Sequence, residues 1–261
     1  MNKVKMYYRT SLRRENLALN FIYNIFLWVC SYPRLMLEVF VRKNFGQRYF
    51  RISSAITVAA ILYFMPKISS TPRWVTSLFG VSRGNHYDDT SAQFTWYLFI
   101  ILFVIFSVIR WREIEKLSSG FNFNKFAKYS GDIHYWFSKI PFFGQTDIRQ
   151  VETFWEPLFF FLIGGLLILL GQKIGIVIFI GSIMYCISYC AAYKNGDDFI
   201  ADANDERLLE EEFHNSYVKN LPGEQCRGVR LYMDRPRSME EAEKVAEYML
   251  KPETEDAVFQ F

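Results

Sequence analysis

Apolar residues in this chain gather into long unbroken blocks. From Phe154 to Gly171, and again from Ile174 to Ala192, Glu156 and Lys173 are the only charges within or between the blocks. Each block is about the length of a bilayer span. A soluble core helix would alternate polar and apolar faces, and a buried strand would stop after roughly four to eight residues. The pattern predicts two transmembrane helices joined by Gly171-Gln172-Lys173. Upstream, "FTWYLFIILFVIFSVIRW" (Phe94 to Trp111) predicts another span, with aromatics at both ends where interfacial belts occur. Ile52 to Pro66 predicts a shorter one, extended by Phe50 and Ile68, with Arg51 able to snorkel. The stretch between these two, residues 67–91, carries Pro, Gly, Ser and mixed charge and reads as a surface loop.

Two further segments are apolar but interrupted. Leu17 to Cys30 contains Asn20 and Asn24 on one helix face and ends at Ser31-Tyr32-Pro33. Basic flanks favour a helix lying in the membrane interface over a fifth span or a re-entrant piece. Lys125 to Ile140 repeats the theme: Phe126, Tyr129, Ile133, Trp136, Phe137 and Ile140 share helical spacing, which predicts a second interfacial helix. "FGQ" occurs at Phe45-Gly46-Gln47 and again at Phe143-Gly144-Gln145, a weak echo consistent with two similarly oriented repeats.

Lys and Arg set the orientation. Lys3, Lys5, Arg9, Arg13, Arg14, Arg34, Arg42, Lys43 and Arg48 precede the first span, and Arg112, Lys116, Lys125, Lys128, Lys139 and Arg149 fill the middle loop. The opposite loops hold only Lys67, Arg73, Arg83 and Lys173. The positive-inside rule then places both termini in the cytoplasm.

After Tyr193 the chain turns polar and acidic, with a helical stripe of Leu208, Leu209, Phe213 and Tyr217. Arg227 to Met233 has strand character, ended by Asp234-Arg235-Pro236. Ser238 with Glu241 forms a capping box that opens a helix whose face carries Ala242, Val245, Ala246 and Met249. A tail of about 70 residues folds only marginally alone, so this face is expected to dock on the cytoplasmic loops or on a partner protein.

The expected organisation is a cytoplasmic N-terminal region (1–50), a transmembrane region (51–193) and a cytoplasmic tail (194–261). The spans fall at about 51–67, 93–111, 154–171 and 174–193, with a cytoplasmic interfacial loop at 112–153. The fold class is an all-α polytopic membrane protein of four helices in two hairpins, with interfacial amphipathic helices and a small mixed tail.

Composition agrees. The chain has 261 residues, 51% of them hydrophobic, with 26 Phe and 16 Tyr, yet its mean hydropathy is only +0.03 because aqueous parts accompany the apolar blocks. A net charge of +3 spread over several loops gives no nucleic-acid footprint. Cys30, Cys186, Cys190 and Cys226 make no disulfide framework; Cys186 and Cys190, four residues apart, could bind metal or accept a lipid, but small packing residues are the favoured reading. The basic, polar opening without a small-residue cleavage site argues against a cleaved signal peptide.

Candidate chemistry is sparse. His86, His134 and His214 fall in different segments, and no zincin, nucleophile-elbow, Walker or dinucleotide motif is present. His86, Asp88 and Asp89 resemble a ligand cluster but read as a solvated loop. Glu156, beside Pro157, reads as an interfacial carboxylate. No cofactor or metal is implied. Gly164, Gly165 and Gly171, with Gly175, Gly181 and Ser182, allow close helix approach.

The leading expectation is a non-enzymatic scaffold or subunit of a larger membrane assembly, such as a secretion or DNA-transfer apparatus, in a bacterial inner membrane. Its partners would be the bilayer and other membrane or cytoplasmic subunits, with homo-oligomerisation allowed. The alternative is an oligomeric channel or transporter, with Thr57, Ser107, Ser182 and Ser188 lining a path. A membrane enzyme using His134, Asp132 and Glu156 is the third reading.

Overall fold

The computed structural model describes residues 2–12, 17–68, 86–116, 126–138 and 147–251. Its elements are helical throughout: α1 (Lys3–Tyr7, continued by a π-turn at Tyr8–Leu12), α2 (Leu17–Val41), α3 (Ile52–Ile68), α4 (His86–Lys116), α5 (Tyr135–Ser138), α6 (Ile148–Leu169, containing a π-turn at Val151–Trp155), α7 (Lys173–Tyr217) and α8 (Met239–Leu250). The chain divides into two compact units, residues 22–193 and residues 1–21 with 194–261.

Four helices are long and apolar enough to cross a membrane: Asn20–Val41, Gln93–Glu115, Ile148–Leu169 and Lys173–Tyr217. Three coincide with expected spans. The fourth member differs: α2 reaches span length because the chain stays helical through Pro33, whereas Ile52–Pro66 is an apolar helix of less than span length. Helices also outrun the apolar blocks. α4 begins at His86, inside the expected loop, and α7 continues past Tyr193 to Tyr217, because polar residues after a helical block terminate burial without terminating backbone hydrogen bonding.

In the larger unit the core consists of Leu37, Val39, Phe45, Phe50, Phe103, Phe160, Ile178 and Tyr185, among others. Phe40 of α2 packs its ring against Phe99, Phe103 and Phe106 of α4 at 5.4, 6.3 and 5.4 Å. The chain after α2 pairs with residues 127–132: Gly46 and Arg48 donate their N–H groups to the carbonyls of Tyr129 and Ala127 at 2.9 and 2.8 Å, and Lys43 bridges Asp132. Gly46 is required there, since a Cβ would meet the Ala127 carbonyl and lie 2.7 Å from the Tyr129 nitrogen. This pairing replaces the second interfacial helix expected over Lys125 to Ile140. Among the described residues of that stretch, only Tyr135–Ser138 is helical. The second "FGQ", Phe143-Gly144-Gln145, lies outside the described residues.

Prolines inside helices leave carbonyls without their usual donor, and at Pro66 and Pro157 a neighbouring helix supplies a replacement. Pro66 cannot bond the Leu62 carbonyl, and the Trp96 indole of α4 donates to it at 2.9 Å. Pro157 cannot bond the Thr153 carbonyl, and the Cys186 thiol of α7 donates to it at 3.1 Å. In a bilayer such a carbonyl would find no water, so each pair ties two helices at a fixed height.

The smaller unit joins the two chain ends. Val4 and Tyr8 pack with Leu209, Phe213 and Tyr217 of α7 and with Ala242 and Ala246 of α8. Basic α1 also sits against acidic α7: Arg9 pairs with Glu206 at 2.7 Å and Lys5 with Glu210 at 3.5 Å. The tail therefore gains a core by borrowing the N-terminal segment. The expected strand at Arg227 to Met233 is absent. Val229, Leu231 and Met233 do face the core alternately, as period-2 spacing implies, but no neighbouring chain pairs with them among the described residues.

Candidate functional site: a closed charged cluster among apolar helices

Three i,i+4 series converge in the larger unit: Arg34 and Glu38 on α2 with Arg42 just past its end, Glu152 and Glu156 on α6, and Tyr185, Tyr189 and Tyr193 on α7. Residues four apart share a helix face, so each helix presents one polar ridge. The π-turn at Val151–Trp155 lies where Glu152 and Glu156 both reach Arg42. Glu38, Arg42, Glu156 and Tyr185 are fully buried.

Arg42 is the centre. Its Nε donates to both Glu156 oxygens at 3.3 and 3.1 Å, and one terminal nitrogen donates again to Glu156 Oε2. The other donates to Glu152 at 2.9 Å, Ser130 at 3.2 Å and the Tyr189 hydroxyl at 2.5 Å. Arg34 bonds Glu38 at 3.1 Å, the Tyr49 hydroxyl, and Ser188 at 3.0 Å. The Tyr189 ring lies between the guanidinium groups, 4.1 Å from that of Arg34 and 4.8 Å from that of Arg42.

Four phenols close the carboxylates. Tyr49 and Tyr189 donate to the two oxygens of Glu38, each at 2.6 Å; Tyr193 donates to Glu152 at 2.5 Å; Tyr185 donates to Glu156. All six carboxylate oxygens thus accept a hydrogen bond. Burial pushes the Tyr49 phenol above its ordinary value, and the Glu38 charge adds to the shift. Such satisfaction is what makes buried charge tolerable. Chemically, the cluster is a fastener: each charge is consumed by another group of the same chain.

Beside it, a cavity of about 330 Å³ is lined by Tyr129, Ser130, Gly131, Asp132, Ile133, Ile148, Val151 and Glu152. Glu152 forms part of its wall while bonding Arg42. Nearby, Arg110 bonds Glu113 at 2.8 Å and donates to the Val39 carbonyl at 3.3 Å, capping the end of α2.

The residues singled out in the sequence are distributed as follows. Gly164 and Gly175 bring α6 and α7 together: a Cβ on Gly164 would lie 2.7 Å from the Phe179 nitrogen, and one on Gly175 2.8 Å from the Gly164 carbonyl oxygen. Gly181 faces Met36 and Leu37 of α2, not α6. Ser182 is buried and donates to the Phe179 carbonyl. Gly165 meets nothing within 4 Å, and Gly171 serves the turn through its φ of +72°. Ala242 and Ala246 are buried within the smaller unit and Met249 packs against its core, which leaves Val245 as the outward member of that set.

Glu156, expected beside the headgroups, has no exposed surface within the chain: the Arg42 guanidinium and the Tyr185 hydroxyl replace water around it. Asp132 instead accepts from Asn44 and Tyr129, each at 2.6 Å, and His134 accepts from the Trp136 N–H at 3.4 Å. Cys30 and Cys226 are buried, Cys186 is half-buried and Cys190 exposed. Among the described residues, no group of three His, Cys, Asp or Glu is placed to hold a metal ion. The side chains of His86, Asp88 and Asp89 lie outside the described residues.

The sequence did carry a signal for the cluster. Arg34-Glu38-Arg42, Glu152-Glu156 and Tyr185-Tyr189-Tyr193 all repeat every four residues, with complementary chemistry. Comparison with protein-family models, with curated proteins and with solved structures finds no match.

Proposed function

We propose that this chain is a non-enzymatic, multi-pass membrane protein that acts as a scaffold or subunit of a larger assembly, of the kind a secretion or DNA-transfer apparatus uses. The carrying observation is that the buried charged cluster closes on itself. Arg34, Arg42, Glu38, Glu152 and Glu156 answer one another, and Gly164 and Gly175 shut the contact between α6 and α7. Ion-coupled transport and catalysis both call for an open polar position.

The topology within this reading follows from three supports. The N-terminal segment and the tail form one unit, so an even number of crossings separates them. Thr95 bonds Gln172 at 2.5 Å, which sets the start of the apolar stretch of α4 beside the α6–α7 turn; Arg110, Glu156 and Tyr189 lie towards the other end of the apolar stretches of these helices. Finally, Asn20, Asn24, Ser31, Arg34 and Glu38 of α2, with Arg42 just past its end, fall within an arc of about 80° at helical spacing. Opposite them lie exposed Phe21, Ile22, Ile25, Phe26 and Trp28 and core-facing Met36 and Phe40. A helix polar along one whole face suits the membrane plane. In this reading α3, α4, α6 and α7 cross, α2 lies across their cytoplasmic ends, and both termini are cytoplasmic.

The test is purification in mild detergent from the native host, with copurifying proteins identified by mass spectrometry. The Met239→Glu/Val245→Glu variant alters exposed positions of α8. Stoichiometric partners lost in the variant are expected. A protein that comes through alone as a homo-oligomer in both forms would overturn the scaffold reading and favour the channel, to be pursued by flux measurements.

A further inference from the structure

We infer that the paired segments 43–51 and 126–137 form a recognition surface for anionic lipid headgroups. This rests on the membrane reading above and names the lipid class that the protein selects. The Arg48 N–H donates to the Ala127 carbonyl, which brings Arg48 beside Lys128, and Arg51 follows at the entry to α3. All three side chains are exposed, and among the described residues none forms an ion pair. The acids close by are already engaged: Asp132 by Asn44 and Tyr129, Glu152 by Arg42 and Tyr193. Across the two segments Lys43, Arg48, Arg51 and Lys128 stand against the single acid Asp132, so the surface keeps a net positive charge.

Aromatic side chains accompany them. Phe126 is 71% and Trp136 76% exposed, and Tyr135 is exposed beside Phe137, which anchors α5 by packing against Phe159 of α6 at 5.7 Å. Large rings held out of the core by an anchored neighbour are costly in water. They suit the headgroup level of a bilayer, where an apolar body and a polar rim are both satisfied. Cations at the same level then meet lipid phosphates, each contributing about fivefold in partition at an anionic surface. Charge complementarity commits the surface to anionic lipid over zwitterionic lipid.

The experiment uses the full chain in nanodiscs. Trp136 emission, taken as the difference between the protein and its Trp136→Phe variant, is quenched with brominated phosphatidylglycerol or brominated phosphatidylcholine. The expected result is quenching by both lipids, with phosphatidylglycerol effective at a several-fold lower mole fraction. That preference should fall with each of Arg48→Gln, Arg51→Gln and Lys128→Gln, vanish in the triple variant, and shrink with salt. Equal quenching by the two lipids, a preference that survives the triple variant, or no quenching by either would overturn the inference. Failure of the membrane reading registers separately, as release of the protein from membranes by alkaline carbonate without detergent.

Discussion

Replacing Arg42 by Leu removes the centre of the charged cluster and leaves Glu38, Glu152 and Glu156 facing Arg34 alone. Arg42 has no exposed surface and bonds five side-chain atoms from Glu156, Glu152, Ser130 and Tyr189. Breaking a buried pair by deleting one partner costs about 3–5 kcal/mol, because the surviving charge stays desolvated. For a unit of this size that is a fall in Tm of roughly 6–20 °C. The Arg42→Leu/Glu156→Leu double variant removes one charge of each sign and substitutes apolar volume. It is expected to recover most of the loss, ending within about 2 kcal/mol of the parent. The assay is thermal unfolding in detergent, followed with a thiol-reactive fluorophore that reports exposure of buried Cys30. Carrying the test in a Cys186→Ser/Cys190→Ser/Cys226→Ser background confines the signal to the larger unit. A single variant as stable as its parent, or a double variant no better than the single, would refute the view of the cluster as a mutually dependent fastener.

The other predictions concern packing and titration. Gly175→Ala should destabilise by about 1–3 kcal/mol, because its Cβ would meet backbone at Gly164 and Ile168, whereas Gly165→Ala, in open space, should be neutral or slightly stabilising in the same melt. Trp96→Phe should cost about 1–3 kcal/mol by orphaning the Leu62 carbonyl. Pro66→Ala restores a backbone donor at that turn, so Pro66→Ala/Trp96→Phe should regain part of the loss; no regain would break the link between the two residues. Burial, with the Asp202 hydrogen bond, pushes the Tyr8 phenol up to about 12. The sign follows: the unfolded phenol ionises near 10, so the stabilisation is intact below that pH and is lost as pH rises towards 12. The absorbance at 295 nm, taken as the difference from Tyr8→Phe, should show this late titration; a midpoint near 10 would contradict the burial of Tyr8 against Asp202.

Much of the architecture is written locally. Blocks such as Phe154 to Gly171 and Phe94 to Trp111 specify long apolar helices because hydrophobicity sustained over that length suits no strand or soluble amphipathic helix. Ser238 and Glu241 mark the start of α8 for an equally local reason: the Ser238 hydroxyl accepts the Glu241 N–H three residues on, at 3.2 Å. Gly171, at the turn after α6, likewise needs only its own backbone to explain it.

What folding alone decided is which distant residues complete one another. Glu156 looks interfacial in isolation, since a carboxylate beside apolar residues has no low-energy place except near water. Its burial depends on Arg42 and Tyr185, 114 and 29 residues away. The tail's core depends on Val4 and Tyr8, nearly the whole chain length removed. The Arg227 to Met233 segment has the alternation of a strand, but a strand is a relation between two chain segments, and none of the described residues pairs with it. Helices close their hydrogen bonds within themselves, so sequence determines them segment by segment. Buried charge, freed carbonyls and shared cores are settled by partners whose identity no local pattern carries.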